Sequence, residues 1–497
     1  MNNNSTIFND DPLGTAARDL FGLSYLFPYQ RLVISNILEA AESDDLSDRE
    51  GIGKQIVILP TGAGKSLCFQ LPAMLMEGAT LVIYPILGLM ADQERRLKER
   101  GFSTVILRGG QTGEEREEIF GIIRNGKGSF IIANPEVLLG SGVFSRLRDL
   151  KIKHIVIDEA HCVSEWGESF RPSYLEINKI IKEAGSPLIT AFTATAGTTV
   201  LNKIEQYIFG EEGAARIVGN PDRKNISYYG RGCIVRNLAV RDYILQNKRP
   251  AIVFCSTRPG TERLAEYLKN EIFMMDHPWY KKIRYYHAGL SRDEKKETEN
   301  WFLNDGEAVL CATCAYGLGI DKPDIRTVIH RDCPPSIEAY LQESGRAGRD
   351  GELSKAIILW GPDDEASLAR VKKEGDRARM AKLLSYARDS NKCRREALLD
   401  ILEYQGERDY PEQNCCDVCD QSSFPGLREE NSLLNFFKRN GYSYSLPMAA
   451  NVLKDAEVNW TEDDASEAIN YLIKTGKIKK SKNPFFRNSL IQAVKLI

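Results

Sequence analysis

Short runs rich in valine and isoleucine alternate with segments of helical periodicity along two long stretches of the chain. The first stretch carries five such runs, at 55–59, 80–84, 129–132, 154–157 and 188–192. The second stretch carries five more, at 251–254, 283–286, 308–311, 327–329 and 355–359. Apolar runs separated by helical segments are typical of parallel sheets, whose strands are buried on both faces. The pattern therefore predicts two α/β lobes.

The C-terminal part of the chain has a different pattern. Residues 363–388 are charged and have helical periodicity, and 422–426 is predicted to be a linker. Further on, three short helices and a hairpin are predicted, at 424–441, 446–454, 462–474 and 477–487. We therefore predict four domains with the bounds 1–220, 221–362, 363–424 and 425–497.

Composition limits the class of protein. With 42% hydrophobic and 27% charged residues the chain is typical of soluble globular proteins. No apolar run approaches the roughly 18 residues that cross a bilayer, and the N-terminus lacks a basic, apolar signal pattern. We expect an intracellular protein with no membrane partner, cytoplasmic in a bacterium or nuclear in a eukaryote.

A net charge of −3 means that any nucleic acid must bind a local basic surface. Residues 474–497 offer one, since they contain basic residues and no Asp or Glu. Its central lysines are Lys477, Lys479 and Lys480. A solvated charged face is the alternative interpretation of this stretch.

A candidate phosphate site follows the first predicted strand. Residues 59–66 read LPTGAGKS and lead into a helical run at 67–76. The backbone N–H groups of Thr61, Gly62 and Gly64 can surround phosphate oxygens at the positive end of this helix. Lys65 can reach the β and γ phosphates, and the Ser66 hydroxyl can bind Mg²⁺. The strict phosphate-loop motif has glycine at the position of Leu59. An ordinary glycine turn is the alternative interpretation. The order of strand, loop, Lys-Ser and helix favours the phosphate site.

Two carboxylates, Asp158 and Glu159, follow the run at 154–157. An Asp-Glu pair at the end of a strand suits metal binding by the first residue and water activation by the second. Together with the phosphate loop, the pair predicts hydrolysis of a nucleoside triphosphate. Stacking and guanidinium side chains that suit single-stranded nucleic acid come soon after: Trp166, Phe170, Arg171 and Tyr174.

A second catalytic element is predicted at 342–350, which reads QESGRAGRD. Arg346 and Arg349 are three residues apart, so both could face one cleft from a helical turn. Arginines stabilise the charge that develops when a γ-phosphoryl group is transferred. Taken alone the loop could be a solvated turn; given the phosphate loop, we predict an arginine finger and a nucleotide site shared between the lobes.

The eleven cysteines are unevenly distributed. Seven, including Cys68, Cys233, Cys255 and Cys311, stand singly in or near apolar segments, and we predict reduced packing residues. The remaining four are Cys393, Cys415, Cys416 and Cys419. Four thiolates suit a tetrahedral structural Zn²⁺ site, and the two-residue spacing after Cys416 is typical of such sites. Buried or redox-sensitive thiols are the alternative.

Taken together, these motifs resemble those of the RecQ helicases of superfamily two, over roughly residues 20 to 420. Three further segments are similar to sequence motifs of this family: Thr193-Ala194-Thr195, the run from His287 to Leu290, and the run from Ala312 to Pro323, which includes Asp321. The resemblance implies two tandem RecA-like lobes, a small helical zinc-binding module and a winged-helix-like domain. It implies ATP, Mg²⁺ and Zn²⁺ as cofactors, with Gln30 and Asp321 in the ATP site.

The resemblance also implies an activity: ATP-driven unwinding of duplex DNA with 3′-to-5′ translocation on single-stranded DNA, in repair and recombination. The aromatic-rich loop that includes Trp166 and Phe170 would sense the single strand. We expect a monomer that lacks the additional C-terminal helical domain of many relatives. An RNA helicase and a non-unwinding DNA-binding scaffold with weak ATPase activity remain alternatives, and the C-terminal domain could instead only pack against the zinc module.

The chain departs from the family pattern at several positions. Phe27 and Tyr29 stand where the adenine-reading segment usually has Arg and Gly. In the aromatic-rich loop, Glu165 and Glu168 stand where Gln and His are common. Cys415 and Cys416 are adjacent, whereas the family spaces its last three cysteines by two residues each.

Overall fold

The chain divides into two compact units, Met1–Pro221 and Asp222–Ile497. This is a computed structural model. It describes residues 11–23, 25–43, 52–60, 63–85, 87–125, 130–165, 171–185, 187–194, 197–210, 213–317, 322–456, 460–483 and 489–492.

The first unit is built on a seven-stranded sheet in which all neighbouring strands are parallel. The strands are β1 Lys54–Ile58, β2 Ala79–Ile83, β3 Thr104–Leu107, β4 Phe130–Ala133, β5 Ile152–Ile157, β6 Leu188–Thr193 and β7 Ala215–Val218. Their order is β3-β4-β2-β5-β6-β1-β7. The five predicted strands are confirmed. The two that the pattern missed, β3 and β7, are the edge strands. β7 is partly exposed along its length, as an edge allows, whereas β3 is short and mostly buried.

Helices cover both faces of this sheet. They are α1 Pro12–Phe21, α2 Pro28–Glu42, α3 Lys65–Leu75, α4 Leu87–Glu99, α5 Gly113–Arg124, α6 Pro135–Leu138, α7 Ser141–Phe144, α8 Cys162–Glu165, α9 Ile177–Glu183 and α10 Thr198–Ile204. Successive strand residues point to opposite faces. Ile56 and Ile58 therefore belong to one hydrophobic core, while Val57 and Leu59 belong to the other.

The second unit contains a six-stranded parallel sheet. Its strands are β8 Ile226–Gly232, β9 Ala251–Phe254, β10 Ile283–Tyr286, β11 Val309–Ala312, β12 Thr327–His330 and β13 Ser354–Trp360. Their order is β10-β11-β9-β12-β13-β8. The five predicted strands are again confirmed, and the missed strand, β8, is again an edge strand. The helices between and after these strands are α11 Arg236–Gln246, α12 Arg258–Met274, α13 Arg292–Asn304, α14 Ile337–Ser344, α15 Asp363–Arg370, α16 Glu374–Arg388 and α17 Arg394–Ile401.

The block that contains the four clustered cysteines packs directly on β8. The Tyr228 N–H donates to the Cys415 carbonyl (3.3 Å), and the Asp417 N–H donates to the Tyr228 carbonyl (3.1 Å). Cys415 and Cys416 belong to the same hydrophobic core as the second sheet. The helices after the sheet and the cysteine block therefore share a core with the second lobe.

The C-terminal domain combines three helices with a small sheet. The helices are α18 Glu430–Arg439, α19 Leu446–Ala456 and α20 Glu462–Lys474, and the antiparallel strands are β14 Ile478–Lys480 and β15 Leu490–Gln492. Backbone bonds from the Tyr442 N–H to the Leu490 carbonyl (3.2 Å) and from the Leu490 N–H to the Tyr444 carbonyl (2.8 Å) join β15 to the turn before α19. This order of helices and strands is that of a winged helix. Its core includes Ile234 and Leu238 of the second lobe.

Every helix in the described part of the chain is too short or too polar to span a membrane.

Candidate functional site

The phosphate loop leads into α3 through a glycine that the backbone requires. Gly64 has a φ of 75°, in the left-handed region, and caps the helix that begins at Lys65. A Cβ atom at Gly64 would lie 2.5 Å from Gln30 Nε2. Lys65 and Ser66 therefore occupy the first turn of α3, where backbone N–H groups favour an anion. Thr61 and Gly62 lie outside the described residues.

Gln30 supports this loop from α2. Its amide donates to the Ala63 carbonyl (3.1 Å) and its Oε1 accepts from the Phe27 N–H (2.9 Å). The Tyr29 hydroxyl donates to the same Ala63 carbonyl (3.2 Å). Gln30 is only 4% exposed. The side chain predicted to contact adenine therefore also holds the phosphate loop.

An exposed aromatic surface lies beside this loop. The rings of Phe27 and Tyr29 are stacked, with centroids 5.4 Å apart and planes 5° apart, and Tyr25 packs edge-on against Phe27. Tyr25 and Phe27 are 61% and 50% exposed. A flat, exposed aromatic face suits stacking of a nucleobase.

Asp158 and Glu159 lie at the carboxyl edge of the first sheet, where parallel sheets bind their ligands. The Asp158 N–H donates to the Ile83 carbonyl (3.1 Å), and the Ala160 N–H donates to the Phe192 carbonyl (2.8 Å). The turn is thus bonded to the ends of β2 and β6. Glu159 has a φ of 51°. A non-glycine residue in this region is strained, a feature that is common at active sites.

The two motifs meet in one polar cluster. Lys65 Nζ lies 4.0 Å from Glu159 Oε1, and His161 Nδ1 lies 3.4 Å from Glu159 Oε2 and 3.1 Å from Thr193 Oγ1. The Lys65 ammonium is buried and has no hydrogen-bond partner among the described residues. A buried cation without hydrogen bonds is costly, and phosphate oxygens would satisfy it. The site therefore fits a magnesium nucleotide.

Burial raises the pKa of Asp158 to about 6, and the neighbouring Glu159 carboxylate acts in the same direction, while Lys65 opposes both. A divalent cation would favour the ionised carboxylate. The electrostatics of Asp158 thus match a metal ligand.

The stretch predicted to contact DNA is described only in part, because Trp166 and Phe170 lie outside the described residues. Arg171 Nε lies 3.8 Å from Glu136 Oε1. The prediction for Tyr174 is corrected: its side chain is 0% exposed and belongs to the core beneath the first sheet. A ring that is fully buried cannot stack on a base, so Tyr174 is a core residue of the first unit.

The arginine loop follows α14 as a series of turns. Arg346 is buried and Arg349 is partly buried, and Ala347 between them is 0% exposed. Gly348 has a φ of 53°, and a Cβ atom built on it would lie 2.5 Å from Asn225 Nδ2 and 2.5 Å from the Glu352 carbonyl oxygen. The chain therefore packs too closely at Gly348 for another residue. Asp321 lies outside the described residues.

The four clustered cysteines fit a tetrahedral metal ion. Their sulfur atoms all lie within 4.8 Å of one another, with 3.7 Å between Cys393 and Cys415 and 3.9 Å between Cys393 and Cys416. Zn–S bonds of about 2.3 Å in a tetrahedron separate the sulfurs by roughly 3.8 Å. The adjacent residues Cys415 and Cys416 can therefore both contribute. Hydrogen bonds from Cys415 lower the pKa of the Cys393 thiol, which favours the thiolate that metals bind.

The single cysteines are buried with one exception. Cys68, Cys233, Cys255 and Cys311 are buried as predicted. Cys314 is exposed, which corrects its assignment as a packing residue.

The basic hairpin is only partly exposed. Lys477 forms an ion pair with Glu430, and its ammonium lies 5.8 Å from the centre of the Tyr471 ring. This ion pair would compete with the predicted contact between Lys477 and DNA, which stays a prediction. Lys479 and Lys480 are exposed and remain candidates.

The motifs did not point to three residues that the structure brings to these sites. His161 bridges Glu159 and Thr193, and its position two residues after the catalytic pair was an available signal. Arg223 and Asn225 contact the arginine loop from more than 120 positions away in the sequence. No local pattern could have revealed that contact.

Residues 27–204 match the DEAD/DEAH box helicase family, and residues 236–351 match the helicase conserved C-terminal domain. Several solved structures share the fold. They include the helicase MrfA bound to DNA (TM-score 0.58, 18% identity, covering 98% of this chain and 63% of that one) and Mycobacterium smegmatis helicase Lhr bound to ssDNA and AMP-PNP (TM-score 0.54, 17% identity, 97% and 61%). At these identities the likeness concerns the fold alone.

Sequence relatives are more informative. The chain is 30% identical to the ATP-dependent DNA helicase RecQ of Pasteurella multocida (strain Pm70) over 483 residues, which cover 94% of this chain and 72% of the relative. It is 33% identical to the RecQ helicase of Bacillus subtilis (strain 168), covering 80% and 67%. A match that covers 94% of the chain includes the phosphate loop, the carboxylate pair and the arginine loop described above. The chain belongs to the RecQ family of ATP-dependent DNA helicases.

Proposed function

We propose that this helicase translocates 3′ to 5′ on single-stranded DNA and unwinds duplex DNA in repair and recombination. The observation that carries the proposed ATPase site is the buried Lys65 ammonium, which lies 4.0 Å from Glu159 without a hydrogen-bond partner among the described residues. Such an arrangement is suited to a γ-phosphate and to an attacking water held by Glu159.

In this proposal each residue has a distinct role. Lys65 binds the β and γ phosphates, and Ser66 and Asp158 hold Mg²⁺, which supplies positive charge to the phosphate oxygens. Glu159 orients the attacking water and accepts its proton. Arg346 and Arg349 stabilise the charge of the transition state. Thr61, Gly62 and Gly64 contribute backbone N–H groups, and Gln30 and Asp321 complete the nucleotide site.

Coupling to DNA is assigned to the loop around Trp166 and Phe170, with Arg171 at its end. His161 supports this assignment, because it joins Glu159 to Thr193 while Cys162, the next residue, begins the short helix that leads into the loop. A change in the loop could thus reach the residue that activates water.

We expect Trp166→Ala to abolish DNA-stimulated ATP hydrolysis and to retain most of the basal rate, because the catalytic residues stay in place. Steady-state ATPase assays with and without single-stranded DNA measure both rates. Equal loss of the two rates would contradict a sensing role.

We further propose that Cys393, Cys415, Cys416 and Cys419 bind Zn²⁺ as a structural ion. Four thiolates leave no open coordination position for chemistry. The ion would stabilise the block that covers β8.

Strand separation tests the proposal directly. Unwinding and ATP hydrolysis are measured on 3′-tailed and 5′-tailed duplexes of DNA and of RNA, for the native chain, for Lys65→Ala and for Lys98→Ala. Lys98 is an exposed lysine that pairs with Glu94 and serves as the matched control. We expect unwinding of the 3′-tailed DNA, its loss in Lys65→Ala and its retention in Lys98→Ala.

Other outcomes would contradict specific parts of the proposal. Preference for RNA duplexes would indicate an RNA helicase, and ATP hydrolysis without unwinding would indicate a scaffold. Unwinding that survives Lys65→Ala would refute the assigned site.

A further inference from the structure

The arginine loop is held by a segment at the beginning of the second unit, residues 222–226. Arg223 Nη2 donates to the Gly348 carbonyl (2.7 Å), and Arg223 Nη1 donates to the Gly345 carbonyl (3.4 Å). Asn225 Nδ2 donates to the Gly348 carbonyl (2.8 Å) and to the Glu352 carbonyl (2.9 Å). Gly345 and Gly348 immediately precede Arg346 and Arg349 in the sequence. The bonds therefore restrain the backbone at the point where each arginine leaves it.

Backbone N–H groups of the loop are bonded to the segment before β12. The Gly348 N–H donates to the Ile325 carbonyl (2.8 Å), and the Asp350 N–H donates to the Pro323 carbonyl (3.2 Å). A Cβ at Gly348 would lie 2.5 Å from Asn225 Nδ2, so the two segments are in close contact. Segment 222–226 thus supports this loop together with residues 323–325.

Segment 222–226 is itself held by a buried arginine next to the cysteine cluster. Arg395 is 0% exposed and lies two residues after Cys393. Its guanidinium forms an ion pair with Asp222 and donates to the carbonyls of Arg223 (3.1 Å) and Lys224 (3.3 Å). It also lies 5.2 Å from the centre of the Tyr228 ring on β8. One guanidinium therefore binds the backbone of the segment from the side of the cysteine block.

These hydrogen bonds form a continuous path from Arg395, two residues after Cys393, to the arginine loop. We propose that Arg223 and Arg395 are positioning residues for Arg346 and Arg349, and that segment 222–226 links the metal-binding block to the catalytic arginines. The inference rests on the proposed role of the arginine pair. Charged donors form strong, directional hydrogen bonds, and a guanidinium can bond two acceptors at once.

The physical reason for such a path is the sensitivity of catalysis to placement. A displacement of about 1 Å at a reacting group can cost roughly 100-fold in rate. Gly345 and Gly348 lack side chains, so at these two positions the loop is held through bonds to its backbone groups. Arg223 supplies two of these bonds and Asn225 a third.

The test compares Arg223→Met with Lys224→Ala in the full chain. Lys224 lies in the same segment, but its ammonium forms an exposed ion pair with Asp409. We expect Arg223→Met to lower kcat for DNA-stimulated ATP hydrolysis by about 10- to 100-fold and to change KM for ATP by less than about twofold. Lys224→Ala should stay within about twofold of the native chain in both constants. A purely structural role would instead lower the melting temperature without separating kcat from KM.

Two further variants keep the test decisive if Arg223→Met does not fold. Arg223→Lys retains the charge but lacks the planar guanidinium whose two nitrogens bond the two carbonyls, so its kcat should be intermediate. Asn225→Asp replaces a donor with an acceptor that faces the Gly348 carbonyl, so its kcat should fall. At the other end of the path, Arg395→Lys should lower kcat while bound zinc remains at the native level.

The Arg346→Ala variant distinguishes the proposed catalytic role of the arginine pair from the proposed positioning role of Arg223 and Arg395. If Arg346→Ala lowers kcat strongly while the Arg223, Asn225 and Arg395 variants match Lys224→Ala, the positioning role is refuted. If Arg346→Ala itself leaves kcat unchanged, the proposed function of the arginine pair is refuted. Arg395→Lys that loses zinc together with activity would overturn the separate positioning role of Arg395.

Discussion

At the scale of single residues, the turn at Asp158 and Glu159 combines two features that lower the stability of the folded protein. The Asp158 carboxylate is buried beside Glu159, and Glu159 has a left-handed backbone conformation. Hydrogen bonds to Ile83 and Phe192 hold this turn at the ends of two strands. The residues are therefore placed for binding a cation and a phosphate at the expense of the stability of the nucleotide-free protein.

The raised pKa of Asp158 predicts how the stability of the Asp158→Asn variant depends on pH. Because the folded pKa of Asp158 is raised to about 6, its stabilising contribution is complete below the unfolded pKa of about 4 and is lost as pH rises through 6. In buffer without nucleotide or Mg²⁺, Asp158→Asn should therefore be more stable than the native chain. The gain in unfolding free energy should be about 1 kcal/mol larger at pH 8 than at pH 5.

Denaturant unfolding at the two pH values measures this difference. Asp149→Asn, which changes an exposed carboxylate of the same unit, is the control and should show no such dependence. A gain for Asp158→Asn that is equal at both pH values would contradict the prediction.

At the scale of elements, the edge strand β8 organises the second unit. Exposed edge strands invite pairing with other chains, and here the cysteine block covers the edge. Arg394 donates to Asp417 (2.8 and 3.1 Å) and to the Tyr386 carbonyl (2.6 Å), and Asp417 accepts from the Gly230 N–H (3.0 Å). These groups are buried, so each bond compensates a desolvated charge. The cysteine block is therefore an extension of the second lobe.

Loss of the metal should consequently destabilise the lobe as well as the cysteine block. We expect Cys416→Ser to lower bound zinc and to lower the melting temperature of the full chain by about 5 °C or more. Cys314→Ser, at an exposed cysteine outside the cluster, should change neither. Zinc content by mass spectrometry and thermal unfolding provide the two readouts, and retention of zinc by Cys416→Ser would exclude it as a ligand.

At the scale of the whole chain, the net charge of −3 makes the location of basic side chains decisive. The third helix of the winged-helix-like domain, α20, is acidic in its first turn, and Asp464 accepts from the Tyr267 hydroxyl of the second lobe (3.0 Å). Acidic residues would repel DNA phosphates, so this end of α20 serves as a contact with the lobe. The exposed lysines of β14 are better placed to bind DNA.

The contrast between the acidic first turn of α20 and the exposed lysines of β14 predicts the salt dependence of DNA binding. Replacing both Lys479 and Lys480 with alanine should weaken binding and reduce the slope of log K against log salt by up to about 0.9 for each phosphate that these lysines neutralise. Lys477→Ala should leave the slope nearly unchanged, because Lys477 pairs with Glu430. Fluorescence anisotropy on tailed duplex DNA over a range of salt concentrations measures the slopes. Equal slopes for the native chain and the double variant would exclude β14 from the DNA surface.

The sequence alone predicted a large part of these features. Alternating apolar runs indicated ten of the strands, and strand-loop-helix order indicated the phosphate site at Lys65. Edge strands such as β7 escaped prediction because partial exposure removes the apolar signal on which the interpretation depends. Tyr174 was misassigned because a residue type and its spacing do not reveal whether the side chain is buried.

What the sequence by itself determined is the chemistry: a lysine at a helix N-terminus, two carboxylates at the end of a strand, an arginine pair and four cysteines. The roles predicted for them follow from residue type and local order, which short-range physical rules govern. Only the tertiary structure decided which distant residues support these groups. The bonds from Arg223 and Arg395 to carbonyl groups join segments more than 120 positions apart, and such bonds arise from packing of the whole unit.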